Sequence, residues 1–257
     1  SFSLAVKMLS PTIREAIYSI YGFVRFADEI VDTFHDYDKK RLLQRFKEDT
    51  YRAIEEKISL NPVLHSFQMV VHQYKIEQEL IDAFLKSMEM DLYDIEYDNA
   101  TYEKYIYGSA EVVGLMCLRV FCEGDLAMYD RLKDDARSLG AAFQKVNFLR
   151  DIKSDFTERG RDYITGVDFT DFSKDAKELI EEDIQADFDK ALRGINGLPD
   201  GAKRGVHLAY TYYLKLFSRI KKTSANRIQN ERIRVPDSVK LALLAKTLVK
   251  TSFNVLF

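Results

Sequence analysis

Aspartates spaced Asp-x-x-x-Asp put two carboxylates on one face of a helix, one turn apart, where they can share a divalent cation. The spacing occurs at seven places: 28/32, 32/36, 94/98, 130/134, 151/155, 171/175 and 183/187. The pairs 130/134, 171/175 and 183/187 lie in charge-rich stretches and read as solvated surface. Two others have apolar surroundings. At ~100° per residue, Tyr21, Arg25, Asp28 and Asp32 fall within an arc of ~60°. Ile17, Ile20, Phe23, Val24, Phe26 and Ala27 take the other directions, which predicts a largely buried helix. Gln144, Asn147, Asp151 and Asp155 fall within ~80°, among Ala142, Phe143, Val146, Phe148, Leu149 and Ile152.

Burying four carboxylates without partners is prohibitive. They must be protonated, paired with arginine, or gathered around cations. Arg25 and Arg150 are near but cannot neutralise four charges. Mg²⁺ fits, because it takes few carboxylates and shares its shell with water and phosphates. A salt-bridge network in the core is the competing reading. Facing carboxylate lines with Mg²⁺ suggest a diphosphate ligand, whose departure from an allylic carbon the metal would assist. The carbocation left behind needs a dry cavity, and aromatic faces stabilise it; the chain supplies 17 Phe and 15 Tyr.

The elements that must position these residues are helices. Only 11 Gly and 4 Pro occur in 257 residues. Apolar residues recur at three- and four-residue steps, and alternating stretches are rare. Helices are predicted at roughly 11–33, 39–58, 62–74, 77–94, 101–122, 126–156, 173–193, 200–222 and 237–250. Pro11 after Ser10, and Pro236, suit helix starts; residues 157–172 read as a loop. One all-α domain over 1–257 is the simplest organisation. The chain starts at Ser1 inside an amphipathic segment, so N-terminal trimming is expected. The net charge of −3 argues against nucleic acid as the main partner. No apolar run approaches the ~18 residues of a membrane span. Two cysteines, Cys117 and Cys122, give no disulfide framework and point to a reducing, cytoplasmic setting.

With these residues in place the sequence resembles the squalene/phytoene synthase family, and within it the bacterial phytoene synthases. The resemblance rests on SFSLAVKMLSPTIREAIYSIYGFVRFADEIVD (1–32), YIYGSAEVVGLM (105–116), LGAAFQKVNFLRDIKSDF (139–156), GRDYI (160–164) and ERIRVP (231–236). It implies a class I isoprenoid synthase helical bundle around a central cavity. It also implies head-to-head condensation of two isoprenoid diphosphates through a cyclopropylcarbinyl diphosphate. By resemblance, Asp28, Asp32, Asp151 and Asp155 hold Mg²⁺ (Mn²⁺ as a substitute), with Asn147 a further ligand. Arg25, Gln144, Asn147, Arg150, Arg161 and Arg232 bind or position diphosphates. Tyr21, Tyr107 and Tyr213 sit near the reacting carbons or the leaving group. Two geranylgeranyl diphosphates giving phytoene, without NADPH, is the leading expectation. Squalene or dehydrosqualene synthesis from two farnesyl diphosphates is the alternative, with NADPH needed only for squalene. A non-catalytic assembly scaffold of this fold is the alternative from another class, and the intact Asp-rich motifs speak against it.

Some positions depart from the family pattern. Glu111 stands where the family often has Gly, and either enters the cavity or turns outward. The step from Asp155 to Arg161 is one residue longer than the family's usual spacing, which leaves Arg159 and Arg161 competing for one role. Ala110 and Gly114, beside Tyr107, either make room for a prenyl tail or allow close helix packing. His65 and His72 lack the companions of a metal site. Arg219, Lys221, Lys222 and Arg227 read as a solvated face or as contact with the inner face of a membrane, where long-chain substrates and a hydrocarbon product would partition.

Overall fold

The computed structural model describes residues 2–93, 98–159, 174–230 and 233–236; the side chains considered are those of residues 3–93, 98–152, 174–228 and 233–236. The described residues form helices joined by short turns: α1 (Phe2–Lys7), α2 (Pro11–Asp32), α3 (Lys39–Glu56), α4 (Pro62–Tyr74), α5 (Gln78–Met90), α6 (Asn99–Ile106), α7 (Val112–Cys122), α8 (Leu126–Arg159), α9 (Lys174–Gly197), α10 (Asp200–Lys221) and α11 (Ala225–Asn230). The all-α expectation holds. The predicted helix at 237–250 lies outside the described residues.

Local chemistry sets the boundaries. Pro11 and Pro62 occupy first turns, where a missing N–H costs nothing. Asp38, Asn61 and Asp98 accept from Arg41 N, Val63 N and Thr101 N at 3.1, 3.0 and 2.8 Å, satisfying donors that helix starts leave open. α3 and α4 end on Lys57 and Lys75 in the left-handed region (φ 58° and 53°), a position usually given to glycine.

The sequence reading missed one feature of the predicted 101–122 helix. Between α6 and α7 the chain makes a π-turn, Tyr107–Glu111, with Val112 N–H bonded to Tyr107 O. Gly108 here packs against α5 so tightly that a Cβ would sit 2.5 Å from Ala83 O and 2.8 Å from Ser87 Cβ. A widened turn with a bare Cα lets α6 and α7 follow α5 without a side chain between them. Apolar periodicity does not register one inserted residue. The continuous stretch Asn99–Cys122 is long and apolar enough to cross a bilayer by length and composition, and more than half of it is buried within the fold.

Two apolar cores form. One joins α1–α5 and α7, with Ile20, Phe23, Phe67, Phe84 and Met116 at its centre; Phe23 and Phe67 stack with ring centroids 3.9 Å apart. The other joins α6 and α8–α11 through Leu149, Ile184, Phe188, Leu216 and Phe217. Their burial supplies the main driving force for folding. α2 is less enclosed than predicted: Tyr18, Tyr21 and Phe26 are 38%, 42% and 38% exposed, because α3 and α4 cover one side of it and the other meets the cavity edge. Asp187 corrects the surface reading of the 183/187 pair. It is buried, and with half-exposed Asp183 it holds Lys145 Nζ, at 2.7 and 2.5 Å, tying α9 to α8.

Candidate active site

A cavity of about 660 Å³ runs between the two cores, walled by α1, α2, α5 to α10 and the π-turn. One end is polar. α2 contributes Tyr21, Arg25, Asp28 and Asp32; α8 contributes Gln144, Asn147, Arg150 and Asp151; α10 contributes Tyr213. The rest of the wall is mostly aliphatic and aromatic, including Ile17, Leu118, Phe121, Leu139, Ile195 and Leu198. The two lines read from periodicity do share one cavity.

The two lines differ in charge balance. On α2, Arg25 pairs with Glu29 one turn on rather than with an aspartate. Burial, then the Asp32 carboxylate, pushes the Asp28 carboxyl up to about 7, against the opposing pull of Arg25. On α8, Arg150 Nε donates to both oxygens of Asp151 at 3.0 and 3.1 Å. Beside this pair, Tyr213 donates to Asn147 Oδ1 (3.3 Å) and Asn147 Nδ2 to Gln144 Oε1 (3.4 Å). Phe143 stacks on Tyr213 at 3.9 Å, and burial pushes that phenol's pKa up. α8 thus presents a connected hydrogen-bonding surface.

Tyr107 corrects the sequence reading. It does not line the cavity; Arg137 lies over its ring at 5.5 Å. Tyr105 takes its place on the wall and donates to Asp91 Oδ2 at 3.0 Å. Two residues are ~200° apart on a helix, so only one of these tyrosines can face inward, and the motif alone does not say which. Asp91, at the end of α5, also lines the cavity and adds to the field on Asp28. Sequence reasoning missed it because it belongs to no i,i+4 pair. Glu111 turns away from the cavity and accepts from Arg137 Nε at 2.6 Å. The Asp155 side chain, Arg161 and Arg232 lie outside the described residues, as does the Arg159 side chain. His65 Nδ1 accepts from Ser59 N and His72 Nε2 donates to Ile54 O. Burial pushes the Cys117 thiol up to about 12, which leaves it inert on the wall.

Among the described residues no three carboxylate, imidazole or thiol groups are gathered closely enough to cage a cation. The donor set still fits Mg²⁺. That ion is held by one or two carboxylates plus substrate phosphates rather than by an all-protein cage. Asp28 is a buried carboxylate whose charged form is poorly compensated, the state that a hard cation relieves.

The fold is that of solved dehydrosqualene and squalene synthases. A dehydrosqualene synthase structure superposes with a TM-score of 0.81 at 20% identity, covering 98% of this chain and 92% of that one. A squalene synthase from Alicyclobacillus acidocaldarius gives 0.69 at 20%, covering 86% and 88%. The squalene/phytoene synthase family model matches residues 1–238, and the chain belongs to that family. It is 32% identical to the presqualene diphosphate synthase of Rhodopseudomonas palustris over 60% of this chain and 54% of the relative. It is 30% identical to the phytoene synthase of Pseudescherichia vulneris over 60% and 52%. The chain thus spans about half the length of these curated relatives in alignment. The 15-cis-phytoene synthase of Pantoea ananas aligns over 98% of this chain and 88% of its own length, at 25% identity.

Proposed function

We propose that this chain condenses two isoprenoid diphosphates head to head, and that the pair is two geranylgeranyl diphosphates, giving phytoene. The observation that carries the reaction class is the single cavity with carboxylates and hydrogen-bond donors at one end and an apolar wall beyond. A charged diphosphate and a hydrocarbon tail need that division of surfaces.

Asp28, Asp32, Asp151 and Asp155, with Asn147, would hold Mg²⁺, or Mn²⁺ in its place. When bound, the metal supplies positive charge that stabilises the departing diphosphate. Arg150 and Arg25 offer guanidinium N–H groups to phosphate oxygens; each first exchanges a carboxylate partner for the substrate. Gln144, Asn147 and Tyr213 hold one another, so the amide and phenol groups around the leaving group are oriented before substrate arrives. Tyr105, held by Asp91, presents a second phenol from α6. The aliphatic wall excludes water from the cation, and the Phe143 and Tyr213 rings supply negative π-faces.

The second reading is a farnesyl-based reaction, ending at presqualene diphosphate or going on to a C30 hydrocarbon. The identity to a presqualene diphosphate synthase favours it. One experiment separates the readings. Protein with Mg²⁺ is offered farnesyl and geranylgeranyl diphosphate separately, without and then with NADPH, and the products are identified by mass spectrometry. Phytoene from the C20 substrate is the expected result. A C30 hydrocarbon or C30 diphosphate from farnesyl diphosphate alone supports the second reading. No product from either contradicts both and leaves the scaffold.

A further inference from the structure

The π-turn packs closely on both α5, at Gly108, and α8, at Gly140. Ala110 and Ser109 line the cavity from the turn, while Ala136, Leu139, Gly140 and Phe143 line it from α8. The two backbones meet at Gly140, where a Cβ would lie 2.6 Å from Ala110 O and 3.1 Å from Glu111 Cα. Nothing larger than hydrogen fits between them. Behind this contact, away from the cavity, Glu111 Oε2 accepts from Arg137 Nε at 2.6 Å. Arg137 also lies 3.9 Å from Asp134 and over the Tyr107 ring. Ser109 does not anchor the turn: its Oγ is buried with no hydrogen-bond partner among the described residues.

The structure assigns Glu111 and Arg137 a positioning role: their ion pair is a strut behind the Gly140–Ala110 contact in the cavity wall, holding the π-turn against α8 so that the prenyl chain lies in register with the polar residues. This rests on the prenyl diphosphate reading above. Arg137 is nearly half exposed and Glu111 is mostly covered. The pair is therefore worth a small factor, not an all-or-none switch. The effect falls on coupling. A chain held loosely along that wall still loses its diphosphate at the polar end. The C–O electron pair leaves with diphosphate, and the cation then meets water instead of the second substrate. Water's oxygen bonds to carbon, its proton passes to solvent, and a prenyl alcohol forms.

The test measures diphosphate release and coupled prenyl product in parallel for wild type, Glu111→Gln, Arg137→Gln and the charge-swapped Glu111→Arg/Arg137→Glu chain, with thermal unfolding of each. Both single variants should raise the ratio of diphosphate to coupled product by about two- to fivefold over wild type, with prenyl alcohol appearing. The swap should bring the ratio back toward wild type. A purely structural role would lower the melting temperature and leave the ratio at the wild-type value, and that result overturns the proposal. Arg137→Gln carries the test alone if Glu111→Gln does not fold. Wild type that releases no diphosphate from either prenyl substrate refutes the prenyl diphosphate reading instead, so the two failures are told apart.

Discussion

α2 and α8 carry similar polar lines into the same cavity but leave them in different electrostatic states. On α8, Asp151 is gripped by Arg150, and Asn147 sits between Gln144 and Tyr213. On α2, Arg25 is drawn to Glu29, and burial with Asp32 holds Asp28 near 7. A compensated carboxylate is already at rest. An uncompensated one is a site that gains from a cation. The difference assigns the halves of the site different work: α8 is preorganised to orient, and α2 is poised to bind charge.

The largest expected effect breaks the poised half. Asp28→Asn should lower turnover by about a hundredfold or more, as loss of an electrostatic element at the reacting end does, with helical circular dichroism unchanged. Near-wild-type turnover would remove the distinction. A buried carboxylate outside the site gives a control. Asp187 is ion-paired with Lys145, although burial still holds its pKa above the usual value. Lys145→Met strips that partner and should cost about 3 kcal/mol of stability, read by urea unfolding. Asp187→Asn added to it should recover part of the loss.

The pH dependence sharpens the contrast. Asp28 holds its proton to about 7 in the folded metal-free chain and to near 3.8 when unfolded. Its contribution is therefore favourable at low pH and is lost as pH rises from about 4 to about 7. Melting temperatures of the metal-free chain should fall across that window, and Asp28→Asn should flatten the fall. The smallest effect belongs to the preorganised half. Tyr213→Phe removes one 3.3 Å hydrogen bond and keeps the stacked ring, so kcat should drop severalfold with the melting temperature little changed.

The i,i+4 and i,i+7 spacing of polar residues in apolar helices was enough to find both lines, because helical geometry converts spacing into direction. The same arithmetic could not choose between Tyr105 and Tyr107. Their facing depends on the π-turn, which depends on Gly108 meeting Ala83 O, a tertiary contact. Asp91 reaches the cavity alone from the end of α5, with no periodic partner to mark it. Asp187 looked like surface because its charges are read locally, whereas Lys145 lies on another helix. Glu111 was open in two directions until Arg137, also on another helix, settled it.

The most direct test of the poised carboxylate is calorimetric titration of metal-free protein with Mn²⁺ in the presence of inorganic diphosphate at pH 7, in two buffers of different ionisation heat. The account predicts saturable binding with proton release to the buffer beyond what diphosphate itself gives up on binding Mn²⁺, since the cation displaces the Asp28 proton, and loss of that extra release in Asp28→Asn. Binding by Asp28→Asn with wild-type affinity and the same proton release, or no binding by the wild-type chain, would contradict it.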